Sequence, residues 1–234
     1  MKERNIKIIS VISAILFILT GASSLKNIFD KIMLNSVILP ADIICYIFWA
    51  ATGISAIIAA VLLFKNKKSK LMLLFPAVMT AACGVDLCEY ILSACGVESS
   101  FFYPLFCETD SIASILSYII PEVIGFTAYI ILLVYVFRNC GSDRKKAAQI
   151  NKLWLLPGLM IIADYLLRKI MLSVLAGIDG GISFAIRVFT GGGFLELIVI
   201  ADILIRVFAI ITLCLWLKHK NEKELEMKAE EITE

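Results

Sequence analysis

One histidine, five prolines and a charged fraction of only 18% in 234 residues remove several functions at once. His219 stands alone in the C-terminal tail, where an interfacial cation near a helix end is the expected role, so a catalytic triad has no base to use. No HExxH occurs and the seven cysteines include no CxxC pair, which argues against a zinc enzyme. Cys83 and Cys88 stand five apart on one apolar run, a poor chelating pair. Without a GxxxxGK[ST] stretch the chain has no nucleotide motor, and ATP coupling would need a partner subunit such as an ATPase. No Gly-x-Gly-Asp pattern flanks an acid, as an intramembrane aspartyl protease would carry. An enzyme is therefore not the expected role. No cofactor and no nucleic-acid partner are expected.

What the chain does contain is apolar surface. Hydrophobic residues make up 60% of it and mean hydropathy is +0.92, well outside the range of soluble domains. The expected class is an all-α polytopic membrane protein. With about 20 apolar residues per crossing, six spans are read at 6–25, 38–64, 71–94, 112–137, 153–175 and 194–217, followed by a charged tail over 218–234. The first segment imitates a signal peptide: Lys2, Arg4 and Lys7 precede an apolar core, and Ala22-Ser23-Ser24 resembles a cleavage site. An uncleaved first helix fits better, because five more spans follow it.

Orientation follows from the short connections. The N-terminus, Lys65 to Lys70, Arg138 to Lys152, and Lys218 to Lys228 hold sixteen of the twenty-two basic residues. The opposite connections carry Lys26, Lys31 and Arg187, and an acidic loop with Glu98, Glu108 and Asp110. Basic loops stay inside, which places both termini in the cytoplasm of a cell-membrane protein with the lipid bilayer as its first partner. Cys95 and Cys107 flank one short loop and are a candidate disulfide pair where that loop faces an oxidising compartment, with two free thiols as the alternative. The segment 176–193, framed by Gly180-Gly181 and Gly191-Gly192-Gly193, reads as a flexible turn or an interfacial re-entrant stretch. The tail, mixing Lys and Glu with almost no apolar face, reads as a solvated helical extension.

The spans also resemble one another in pairs. Lys70-Leu-Met-Leu-Leu-Phe-Pro76 and Lys152-Leu-Trp-Leu-Leu-Pro157 open the third and fifth, and each even span carries an acid at or after its outer end. Three pseudo-repeated helical hairpins are one expectation; shared apolar composition is the other.

Ionisable groups inside the spans carry the functional argument. Ala163-Asp164-Tyr165-Leu166-Leu167-Arg168 recurs as Ala201-Asp202-Ile203-Leu204-Ile205-Arg206. Each Asp precedes its Arg by four residues, so the two share one helix face with the acid N-terminal. At 1.5 Å per residue, Asp86 and Glu89 lie about 22–27 Å along the third span. Glu122 falls in the outer half of the fourth, and Asp164 and Asp202 lie near the centre. Asp42 and Glu196 sit close to the outer mouth. One charge at a helix centre costs about 2.5–3.5 kcal/mol, whereas a Leu or Ile returns only about 0.3–0.6. The Asp and Arg of one motif thus cancel roughly ten aliphatic residues, so these groups must face the bundle interior.

Seven acids (Asp42, Asp86, Glu89, Glu122, Asp164, Glu196, Asp202) stand against Arg168 and Arg206, Lys169 being expected to snorkel outward. The excess points to an acid-lined, outward-opening cavity for a cationic or proton-coupled solute, in a transporter or the substrate-binding subunit of one. A bundle locked by two Asp–Arg pairs, in a sensor or assembly partner, is the competing expectation. Prolines 76, 121 and 157 near those acids either free carbonyls for the site or are ordinary membrane-helix prolines.

Overall fold

Prolines mark where the helices begin. Pro40 opens one helix, Pro76 lies in the first turn of the next, and Pro157 follows the first residue of another. A missing N–H costs nothing at those positions, since first-turn N–H groups have no intrahelical partner. The structure, a computed structural model, describes residues 3–34, 40–94, 112–141, 150–182, 186 and 193–233. Those residues are all-helical, with no strand among them.

Six long helices follow in chain order: α1 (Glu3–Leu34), α2 (Pro40–Phe64), α3 (Leu74–Ala94), α4 (Ile112–Cys140), α5 (Leu156–Gly180) and α6 (Gly193–Thr233). Short 3-10 turns, Lys70–Leu73 and Asn151–Leu153, lead into α3 and α5. Each helix packs on its neighbours in sequence, and α6 returns to α1, closing a ring; α6 also meets α4. The three hairpins are not equivalent, because α5 packs more extensively on α4 than on α6.

Five helices are long and apolar enough to cross a membrane: α1, α2, α3, α4 and α6. The reading of a span at 153–175 meets α5, which forms but does not qualify, because Asp164, Arg168 and Lys169 crowd its middle. The outward faces carry exposed Ile15, Ile47, Ile54, Phe137, Val174 and Phe208, an apolar coat of the kind that water disfavours and lipid accepts. The protein is thus a multi-pass helical bundle with the character of a membrane-embedded chain.

Small residues set the crossing of α1 and α2. Ser10, Ser13, Ala14 and Ser24 of α1 and Ala56, Ala59 and Ala60 of α2 are all buried. At the crossing itself, a Cβ on Gly21 would stand 3.0 Å from the Gly53 carbonyl oxygen. Two backbones can approach that far only without side chains between them, the usual device where lipid removes the hydrophobic drive for helix association. The Ser10 hydroxyl donates to the Leu63 carbonyl across the same interface. α1 runs unbroken through Ala22-Ser23-Ser24.

The reading of the tail needs a correction. α6 continues from the apolar core to Thr233 without a break, and Asn221 is buried. Its first two tail turns are packed, as described below, because amides and a Lys of other elements meet them. The proposed Cys95–Cys107 bridge and half of the 176–193 connection lie outside the described residues. α5 does extend to Gly180, and Gly181 adopts φ +82°, the left-handed conformation that ends a helix readily only at glycine.

Candidate functional site

α4 presents Glu122, Gly125 and Tyr129 at spacings of three and four residues, so they share one face. Pro121, just before Glu122, gives α4 no N–H at that turn, which bends a helix. Glu122 is only 6% exposed. Its Oε2 accepts from Arg168 Nη2 of α5 at 2.7 Å, a charge-assisted bond of normal short length. The same Nη2 reaches Asp164 Oδ1, one turn back on α5, at 3.4 Å. Arg168 therefore ties two carboxylates, one from each of two packed helices.

Gly125 makes room for this arrangement. A Cβ there would stand 3.1 Å from Asp164 Oδ2, so the Asp164 carboxylate lies directly against the α4 backbone. Tyr90 of α3 brings its hydroxyl to Arg168, and its ring stacks on Tyr118 of α4 with centroids 5.6 Å apart. Asp86, one turn before Tyr90 on α3, is more exposed and lies within electrostatic reach of Glu122 and Arg168. It makes no hydrogen bond or ion pair among the described residues.

The second motif repeats the intrahelical pairing. Arg206 Nη2 donates to Asp202 Oδ2 at 3.2 Å within α6. Arg206 also meets the hydroxyl of the buried Tyr129, while its Nε is buried with no partner among the described residues. Cys83 of α3 stands between the two groups, within electrostatic range of Asp86, Glu122, Asp164 and Arg206. One polar layer thus draws on α3, α4, α5 and α6.

Among the residues expected from the sequence, Asp86, Glu122, Asp164, Arg168, Asp202 and Arg206 fall in this layer. Asp42, Glu89 and Glu196 belong to α2, α3 and α6 by backbone, but their side chains lie outside the described residues. Glu122, which has no basic residue near it in sequence, finds its partner on the neighbouring helix. Tyr90, Tyr129 and Cys83 were not foreseen. Their only sequence signal is spacing: Cys83, Asp86 and Tyr90 sit three and four apart on α3, matching the face that α4 presents.

Chemically the layer offers four carboxyls (Asp86, Glu122, Asp164, Asp202) against two guanidiniums. Ion pairs in an apolar interior offset their desolvation only when every charge is matched, so the surplus acids need a proton, water or a cation. The apolar coat and the buried charges are the properties of this chain on which function must be argued, because comparison with known protein families, curated proteins and solved structures gave no match.

Proposed function

We propose that the chain is a six-span membrane protein, with both termini and the basic end in the cytoplasm. It binds a small cationic or proton-coupled solute, acting as a transporter or as the substrate-binding membrane subunit of one. One observation carries the reading: Asp86 stands beside the Glu122–Arg168–Asp164 bridge without a countercharge of its own among the described residues. A cation or proton arriving there completes the charge balance of the layer. α5, too charged to rank as a span by composition, crosses because its charges face α4 rather than lipid.

The second reading is a non-transporting subunit, a sensor or assembly partner, whose charges only lock the bundle. The 2.7 Å Arg168–Glu122 pair between α4 and α5 favours it. Asp86 separates the two, since a lock has no use for an unpaired carboxyl. The purified protein in lipid nanodiscs is to be melted with Na+, K+, Mg2+, Ca2+ or spermidine at constant ionic strength. A cation held at a hundred times its Kd stabilises by about 2.7 kcal/mol, and Asp86→Asn removes that gain. If no cation of this panel, and no proton gradient across proteoliposomes read by an entrapped pH dye, gives an Asp86-dependent response, the solute-binding reading fails and the lock stands.

A further inference from the structure

The polar layer does not continue to the basic end of the bundle. From Arg206 to Cys214 along α6 is about 12 Å at 1.5 Å per residue. Phe75 of α3, Leu132 and Val136 of α4, and Val207, Ile210 and Leu213 of α6, all buried to within 1% exposure, occupy that depth. A hydrated ion or polar solute has no partner there, since each polar group entering an apolar layer forfeits its hydrogen bonds.

Beyond that apolar layer lies a clasp made almost entirely of amides and lysines. Asn66, the left-handed residue that ends α2, accepts the Trp216 indole N–H at 3.0 Å, and its carbonyl accepts from Lys220. Lys68 donates to Asn221 Oδ1 and to Glu224 Oε2 at 2.6 Å. Asn221 in turn donates to Asn139 Oδ1 of α4. The Tyr135 hydroxyl donates to the Cys214 carbonyl at 3.0 Å and lies 3.2 Å from Asn151 Oδ1, in the turn before α5. Four elements are tied here: the α2–α3 connection, α4, the α5 entry and α6. Side-chain amides and a single Lys–Glu pair make the polar part of the tie, around the buried Trp216, Leu217 and Met72. Such bonds exchange with water at little net cost, unlike the small-residue crossing of α1 and α2.

We infer that this clasp and the apolar layer beneath it form an inner gate, closed in the structure, which opens when the acid layer above changes its occupancy. The inference rests on the solute-binding reading and assigns it a direction of access. In the closed form solute reaches Asp86 from the end opposite the basic one, and release to the basic side requires the clasp to part.

Cys214 reports the gate, because it is fully buried between the apolar layer and the clasp. A variant retaining Cys214 alone among the seven cysteines is to be reconstituted in nanodiscs and its alkylation by N-ethylmaleimide timed. Slow reaction is expected in the parent, relative to the same protein in SDS. Asn221→Ala and Lys68→Ala each remove two clasp bonds, the one between Lys68 and Asn221 being common to both, a loss of at least roughly tenfold in the closed-to-open ratio, and should speed alkylation about as much without an equal loss of thermal stability. The cation that stabilises through Asp86 should also shift the parent rate. Alkylation as fast in the folded parent as in SDS, or unchanged in both clasp variants, overturns the gate. A rate that ignores an Asp86-dependent cation makes the clasp a structural tie, and the gate falls while the solute-binding reading survives. If no cation or proton response through Asp86 exists, both fall together.

Discussion

Arg168→Ala is the sharpest perturbation of the polar layer. It deletes the one cation that bonds both Glu122, at 2.7 Å, and Asp164, at 3.4 Å. Removing one partner of a buried pair costs about 3–5 kcal/mol, mostly from the charge left behind. Glu122 is buried, but Arg168 and Asp164 retain 28% and 22% side-chain exposure, so solvent screening trims the loss. About 3 kcal/mol is expected, or roughly 6–12 °C in the melting midpoint of a chain this size. The assay is thermal unfolding in nanodiscs of the parent, Arg168→Ala, Glu122→Gln and the double variant. Because most of the cost is an orphaned carboxylate, Glu122→Gln should restore about half of the stability lost in Arg168→Ala. A cycle whose two changes add, within about 0.5 kcal/mol, would refute the bridge between α4 and α5.

Gly125→Ala places a Cβ 3.1 Å from Asp164 Oδ2 and pushes that carboxylate off the α4 backbone. A loss of about 1 kcal/mol is expected, with weaker Asp86-dependent cation stabilisation, both read from the same melting curves. Gly158→Ala is a control at the α5–α6 approach, where the new methyl would meet Ile211 Cγ1 at 2.5 Å. It should cost about 1–3 kcal/mol through overpacking, and Ile211→Ala in the same chain should recover part of that. Cation stabilisation relative to each variant's own midpoint should be unchanged by Gly158→Ala.

The Asp-x-x-x-Arg spacing was legible because four residues on a helix define a shared face whatever the rest of the fold does. Both intrahelical pairs are present in the structure. The Glu122–Arg168 bond was not legible, since it depends on how α4 and α5 are rotated about their axes, and no local rule sets rotation. Gly125 was the available signal: a glycine one turn after an intramembrane acid marks where another helix comes close. The helical extension expected of the tail is present, but its full solvation is not, for a related reason. Lys and Glu at helical spacing look solvated when only their own helix is considered, yet Asn221, Lys220 and Glu224 are met by Asn66, Lys68 and Asn139 from far away in sequence. Pro76 and Pro157, weighed in the sequence as sources of free carbonyls, instead lie in the first turns of α3 and α5, where their missing N–H groups have no intrahelical partner to lose. The composition of α5 pointed both ways, its apolar length arguing for a span and its charges against one.

α6 is synthesised after the five helices it closes on, and it touches α1, α4, α5 and the connection after α2. Until it arrives, Asn66, Asn139 and Tyr135 have no permanent hydrogen-bonding partner from that side, and the ring has an open seam between α1 and α5. A nascent chain stalled before α6 therefore presents amides and a tyrosine where the finished protein presents none. Polar groups left without partners in an apolar setting cost free energy, so the arrival of α6 and the relief of that cost become the same event.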